Sequence, residues 1–210
     1  MIVLKNVTKR FGARTVIDDI SADFESNKIH GIIGRNGSGK TVMFKMICGL
    51  LPIDEGEILV GGKRIGRDID LPDSLGATIN EPGFIPNING YRNLKLLAGI
   101  KKRATDKDII DAIEKVGLDA KSNVHVSKYS MGMRQRLAIA QAIMENPDLI
   151  ILDEPMNGLD NRGVEEMRKM FLSLKDSGKT ILLASHNRED IEVLCDDVWE
   201  MDAGKLNKVR

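Results

Sequence analysis

Between Ile29 and Ile47 the chain reads IHGIIGRNGSGKTVMFKMI: an apolar strand, a glycine-rich turn, and a helix opening at Lys40-Thr41 with Val42, Phe44, Met46 and Ile47 expected toward the core. G-x-x-x-x-G-K-T in that setting is a phosphate-binding loop. A triphosphate must lie against backbone N–H groups, so side chains at Gly34, Gly37 and Gly39 would hold it off or forbid the backbone angles, while Asn36 and Ser38 complete the turn. The helix start adds partial positive charge. Lys40 is placed to reach the β- and γ-phosphates, and the Thr41 hydroxyl to ligate a bridging Mg²⁺. The plainer alternative is a glycine-rich surface turn. Chance supplies the four fixed positions in roughly one chain in a hundred of this length, so the strand before the turn and the helix after it decide for nucleotide.

A chain of 210 residues, 42% hydrophobic, can bury the core of one large domain or of a core with an inserted subdomain. Lys and Arg total 31 against 31 Asp and Glu, so the overall charge points to neither nucleic acid nor an anionic membrane. Cys48 and Cys195 are far apart in apolar helical patterns, which suits a reduced intracellular protein and argues against a disulfide framework or a CxxC metal site. No run of 18 apolar residues appears, and the expectation is a soluble chain.

Residues 2–7 alternate as a strand, and Val16-Ile17 with Ile20–Phe24 read as a second strand pair. Gly56–Lys63 reads as a hairpin turning at Gly61-Gly62, and Leu75–Asn80 as a short buried strand ending at Glu81-Pro82-Gly83. Helices follow over 91–100, 106–116 and 131–145, with Gly117 closing the second. A run of helices between strands suggests a helical subdomain inserted into an α/β core. The core resumes with the non-alternating strand Leu149–Leu152, followed by helix 162–175, strand 180–185, helix 187–196 and a last strand 198–201.

Asp153-Glu154 at the end of a buried strand is the second nucleotide signal: Asp153 suits a magnesium ligand, and Glu154 a base that polarises water for attack on a γ-phosphate. Alone it could equally be an acidic turn; after a phosphate loop it reads as a site. The third signal is Tyr129-Ser130-Met131-Gly132-Met133-Arg134-Gln135-Arg136 before an Ala-rich helix, with Ser130 an N-cap and Gly132 leaving backbone approachable by an anion. Locally, a capped amphipathic helix explains the same residues.

The order of these motifs resembles the nucleotide-binding subunit of ABC transporters along essentially the whole chain: Phe11, GRNGSGKT at 34–41, YSMGMRQR at 129–136, LIILDEP at 149–155, NGLD at 157–160 and Ser185-His186. The resemblance implies a P-loop NTPase α/β fold with a mostly parallel sheet and an N-terminal antiparallel β-subdomain. It makes 1–210 one ATP-binding domain, with 1–82 and 147–210 as core and 83–146 as the helical insertion. It further implies that Phe11 stacks on adenine and that Ser130 and Gly132 contact the γ-phosphate held by an opposite subunit. Asp160 would lie at the dimer interface and His186 would bind the γ-phosphate. Without it, Phe11 is an aromatic packed in a hairpin and His186 a strand-end histidine.

Three departures stand out. Tyr129, Met131 and Met133 replace residues of the usual LSGGQ, and Phe11 lacks the hydroxyl of the more usual tyrosine. Glu81 stands where the family usually carries glutamine, which resembles the bacitracin and lantibiotic-resistance exporter branch and adds a third carboxylate near the magnesium; otherwise it is a solvated acid. The implied protein hydrolyses ATP with Mg²⁺ as a head-to-tail dimer with itself or a homologous subunit. A chain's own signature loop is expected out of reach of its P-loop. The dimer would drive separate integral membrane subunits from the cytoplasmic face, with no nucleic-acid partner. The alternatives are a non-transport ABC ATPase and a regulatory subunit that binds ATP without turnover.

Overall fold

A computed structural model describes residues 1–79 and 83–210. Its centre is a six-stranded sheet of β3 (Ile29–Ile33), β6 (Leu75–Thr78), β7 (Leu149–Asp153), β8 (Thr180–Ala184), β9 (Asp197–Asp202) and β10 (Lys205–Lys208), in the order β10-β9-β3-β8-β7-β6. All neighbours run parallel except the β9–β10 hairpin. The parallel strands lack alternation because both faces are covered. Ile29, Ile150, Leu152, Ile181 and Leu183 face one layer, against Met167, Phe171 and Leu174 of helix α5 (Asn161–Asp176) and Ile191 and Leu194 of α6 (Arg188–Leu194). Ile32, Ile151, Leu182 and Ala184 face the other, against α1 (Lys40–Ile47) and a four-stranded antiparallel sheet. Each Ile, Leu, Met or Phe among them, fully buried, contributes about 1.5–3 kcal/mol.

The antiparallel sheet orders β2 (Arg14–Phe24), β1 (Ile2–Phe11), β4 (Glu55–Val60) and β5 (Lys63–Arg64). The Gly61-Gly62 hairpin stands as expected, with Val60 opposite Lys63. The other two strands are longer than the alternation suggests: β1 continues past Val7 to Phe11, and the supposed strand pair is the single strand β2. Bulges are the reason. The register shifts between Leu4 and Val7 and again before Lys9, with Asn6 and Asp19 at φ of 50° and 53° and the Asn6 amide donating to the Asp19 carboxylate at 3.0 Å. Each bulge inserts a residue and breaks the period-two pattern.

Among the described residues, three helices lie between β6 and β7: α2 (Gly90–Lys101), α3 (Asp106–Lys115) and α4 (Met131–Ile143), with a 3₁₀ turn at Val126–Lys128. Asn89 caps α2, Thr105 and Asp108 form a capping box on α3, and Gly117 follows α3 at φ 77° in the left-handed C′ conformation. Leu94, Ile109, Ile113, Val116, Leu137 and Ala140 pack together and onto the sheet layer of α5 and α6.

Two further differences have local causes. Strand 198–201 is not the last: β10 pairs back on β9 through a two-residue turn, Ala203-Gly204, with both φ positive, and only Leu206 of β10 is buried, too little apolar signal to read. In α1 Met43 is buried along with the expected Phe44, Met46 and Ile47, while Val42 is half-buried, packing against the core and lining a cavity. Cys48 and Cys195 are both buried, and burial pushes both thiols up to about 12. Among the described residues no helix is long and apolar enough to cross a membrane.

Candidate nucleotide site

Adjacent parallel strands bring their C-terminal ends together. Ile32 of β3 and Asp153 of β7 both pair with Ala184 of β8, so the loop after Ile33, the pair Asp153-Glu154 and the pair Ser185-His186 meet at one edge of the sheet. This is the crevice in which open α/β sheets bind ligands.

The loop from Gly34 to Gly39 is shaped by backbone demands. A Cβ at Gly34, whose φ is 148°, would lie 2.2 Å from the Met201 carbonyl oxygen, so no other residue fits there. Gly37, at φ 79°, has open space where its Cβ would stand, leaving the loop's outer face free for a ligand. Lys40 is buried and folds back over the loop, its ammonium donating to the carbonyls of Gly34 (2.6 Å) and Arg35 (3.2 Å). The Ser38 hydroxyl is buried with no hydrogen-bond partner among the described residues, a polar atom waiting for one.

Thr41 donates its hydroxyl hydrogen to Asp153 at 2.6 Å, which joins the expected magnesium ligands from α1 and β7. Glu154 sits at φ 52°, an uncommon conformation for a non-glycine residue, held by its N–H on the Ala184 carbonyl at 3.0 Å. Its carboxylate lies 2.7 Å from Nδ1 of His186 and accepts the His186 backbone N–H at 3.3 Å. His186 is thus brought to Glu154, with its ring exposed.

A cavity of about 460 Å³ is lined by residues 36–42, Val16, Asp153, Glu154 and Asn157, and by Met131 and Gln135 of α4. The last two come from the start of α4, so part of that helix lines the same cavity as the phosphate-binding loop. They stand four apart on one helical face. Gln135 donates to the Glu154 carbonyl at 3.5 Å, and Met131 packs on Gly158. In the sequence Met131 stands out only as a departure from the usual LSGGQ and Gln135 only as part of YSMGMRQR, because spacing says nothing of what a helix face will meet.

Other expected residues stand outside that lining. Ser130 caps α4, accepting the Met133 N–H at 3.1 Å. Gly132 lets α4 approach residue 158, whose carbonyl oxygen a Cβ would meet at 2.8 Å. Asp160 caps α5 through the Gly163 N–H at 2.8 Å. Phe11 is exposed at the end of β1, with the Lys9 ammonium 5.5 Å from its ring centre. Glu81 lies outside the described residues.

Behind His186, the Ser185 hydroxyl donates to Asp190 at 3.1 Å and accepts the Asn187 N–H at 3.1 Å. Asp190 is fully buried and held by Nε and Nη2 of Arg168, at 2.9 and 2.5 Å. Asp190→Ala would leave a largely buried guanidinium with only the exposed Glu189 carboxylate, 3.1 Å from Nη2, to balance it, and would free the Ser185 turn. The expected loss of stability is about 3–5 kcal/mol in urea unfolding; a loss below about 1 kcal/mol would show that the pair does not anchor this turn.

A family model described as ABC transporter matches residues 17–157. The uncharacterized ABC transporter ATP-binding protein YybJ of Bacillus subtilis (strain 168) is 45% identical over 206 residues, covering 98% of this chain and 94% of that protein. The bacitracin transport ATP-binding protein BcrA of Enterococcus faecalis is 39% identical, over 98% of this chain and 68% of that one. The lantibiotic transport ATP-binding protein SrtF of Streptococcus pyogenes is 34% identical, over 98% and 89%. Among solved structures, the dimeric structure of MJ0796, a bacterial ABC transporter cassette, superposes with a TM-score of 0.89 at 25% identity over 100% of this chain and 99% of that one.

Proposed function

The chain belongs to the ABC transporter family of ATP-binding proteins, and from that premise we propose that it closes head to tail with a second copy, or a homologous subunit, over two ATP molecules and hydrolyses them to drive separate membrane subunits. The observation that carries this is the assembly, beside one phosphate-binding loop, of the Thr41–Asp153 and Glu154–His186 pairs.

Lys40 and the N-terminus of α1 face the β- and γ-phosphates, with the backbone of 34–39 around them. Thr41 and Asp153 would hold Mg²⁺: their two hard oxygens, 2.6 Å apart on rigid elements, suit that ion. Bound there, Mg²⁺ would offset the charge shared by the phosphates. Glu154 takes the proton as a water oxygen attacks the γ-phosphorus and the β–γ bridging oxygen departs with ADP. His186, hydrogen-bonded to that carboxylate, holds it in place and presents its ring to the γ-phosphate. Phe11 stacks on adenine; Ser130 and Gly132 meet the partner's γ-phosphate, and Asp160 the partner's surface. Residues 83–146 form the helical insertion. Glu81 is assigned from its sequence position to signalling between the magnesium site and the membrane subunits. Because relatives named for bacitracin and lantibiotic transport align over nearly the whole chain, the cargo is assigned to peptide antibiotics or similar compounds, moved outward from the cytoplasmic face.

The purified chain with Mg²⁺ and ATP should show a specific activity that rises with protein concentration, since two chains make each site. Pull-down from detergent-solubilised membranes should recover an integral membrane protein. A specific activity independent of concentration would refute the dimer, and absence of hydrolysis both alone and with the recovered membrane protein would refute the ATPase reading.

A further inference from the structure

Arg136 does not line the nucleotide cavity, yet its side chain is only 14% exposed and its side-chain hydrogen bonds reach the end of one neighbouring helix and the body of another. From α4, Nη1 donates to the Val116 carbonyl at the end of α3 (2.6 Å), and Nη2 to Glu166 of α5 (2.9 Å). The other Glu166 oxygen is held by Arg162 at 2.9 Å. Two glycines make room for the guanidinium: a Cβ at Gly117 would come within 2.7 Å of Nη1, and one at Gly163 within 2.8 Å of Nη2. Along the same helix, Gln135 holds the Glu154 carbonyl and Met131 rests on Gly158. Helix α4 therefore touches the 154–166 segment at its start, middle and end.

We propose that Arg136 is a positioning residue that locks α4 to the segment carrying Glu154 and Asp160, so that the Ser130 cap and the catalytic carboxylate of one chain move as a single body. The inference rests on the head-to-tail reading above. In that dimer a chain's Ser130 serves its partner's ATP while its Glu154 serves its own. A rigid joint between them makes filling one site set the geometry of the other, and this couples the two sites. The fork of the guanidinium is what spans both acceptors; an ammonium keeps the charge but cannot hold Val116 and Glu166 together.

The test compares wild type, Arg136→Lys and Glu166→Gln, each checked for folding by thermal melting. It reads the affinity of the single chain for a fluorescent ADP analogue and the ATP dependence of hydrolysis. Wild type should show a Hill coefficient of about 1.5–2, bounded by its two sites. Arg136→Lys should keep nucleotide affinity within about twofold, bring the Hill coefficient to about 1 and lower kcat by about tenfold; Glu166→Gln should move both in the same direction by less. A folded Arg136→Lys with wild-type Hill coefficient and kcat overturns the inference, whatever its melting temperature. If the lysine variant does not fold, an unchanged Hill coefficient in Glu166→Gln overturns it equally. A wild-type Hill coefficient of 1 with activity independent of protein concentration would remove the dimer itself, and is read before any variant.

Discussion

Glu154→Gln is expected to bind ATP as wild type does and to turn it over about 10²–10⁴-fold more slowly, a barrier raised by about 2.7–5.4 kcal/mol. Glutamine has the shape of glutamate, and its carbonyl oxygen can still accept the His186 N–H and ring proton that the carboxylate accepts now. The backbone of residue 154, held at φ 52° by the Ala184 carbonyl, has no reason to move. What the substitution removes is the capacity to take a proton from the attacking water. Chemistry should stop with binding intact, and the ATP-bound dimer should accumulate on sizing chromatography with Mg²⁺. A variant within tenfold of wild-type turnover would place the base elsewhere. One that stalls yet stays monomeric with ATP would refute closure over two nucleotides.

Lys40→Ala should weaken ATP binding by about 10²-fold or more. The ammonium is the mobile cation of the loop, and a hydrogen bond to a charged group is worth about 1.5–3 kcal/mol, near tenfold to hundredfold in affinity before its Coulombic reach is added. The structure contributes a second reason: the same ammonium ties the Gly34 and Arg35 carbonyls, so alanine also frees the loop that offers its N–H groups to the phosphates. Calorimetric titration with ATP reads both effects at once. Undiminished binding would overturn the assignment of this loop.

How much of this could be read from the chain alone depended on whether the relevant signal was local. The strand, turn and helix from Ile29 to Ile47 were legible because Gly34 and Gly37 answer to backbone geometry and Lys40 opens the helix that follows them. Asp153 and Glu154 were legible because a strand buried on both faces ends abruptly in two charges. The full extent of β1 and β2 was hidden by bulges at Asn6 and Asp19, which shift the inward-facing set by one. Strand β10 was hidden because it buries one side chain. The reach of Met131 and Gln135 into the phosphate-loop cavity is set by how α4 packs on residues 154–166, a tertiary fact with no counterpart in spacing.

The adjacency of β3, β8 and β7 also governs when the protein can first bind its nucleotide. Residues 34–41 lie more than a hundred positions before 153–154 and 185–186 along the chain, and the three segments come together only when parallel strands from its first and last thirds have paired. Pairings of such separation are made late in folding, after the entropy of the intervening loops has been lost. Glu154, whose N–H is held by the Ala184 carbonyl, cannot take its place on the ribosome until β8 has emerged. Nucleotide therefore selects finished chains: it stabilises only the completed sheet, by an amount that rises with its concentration over its dissociation constant, and leaves every partly made chain as vulnerable to proteolysis as before.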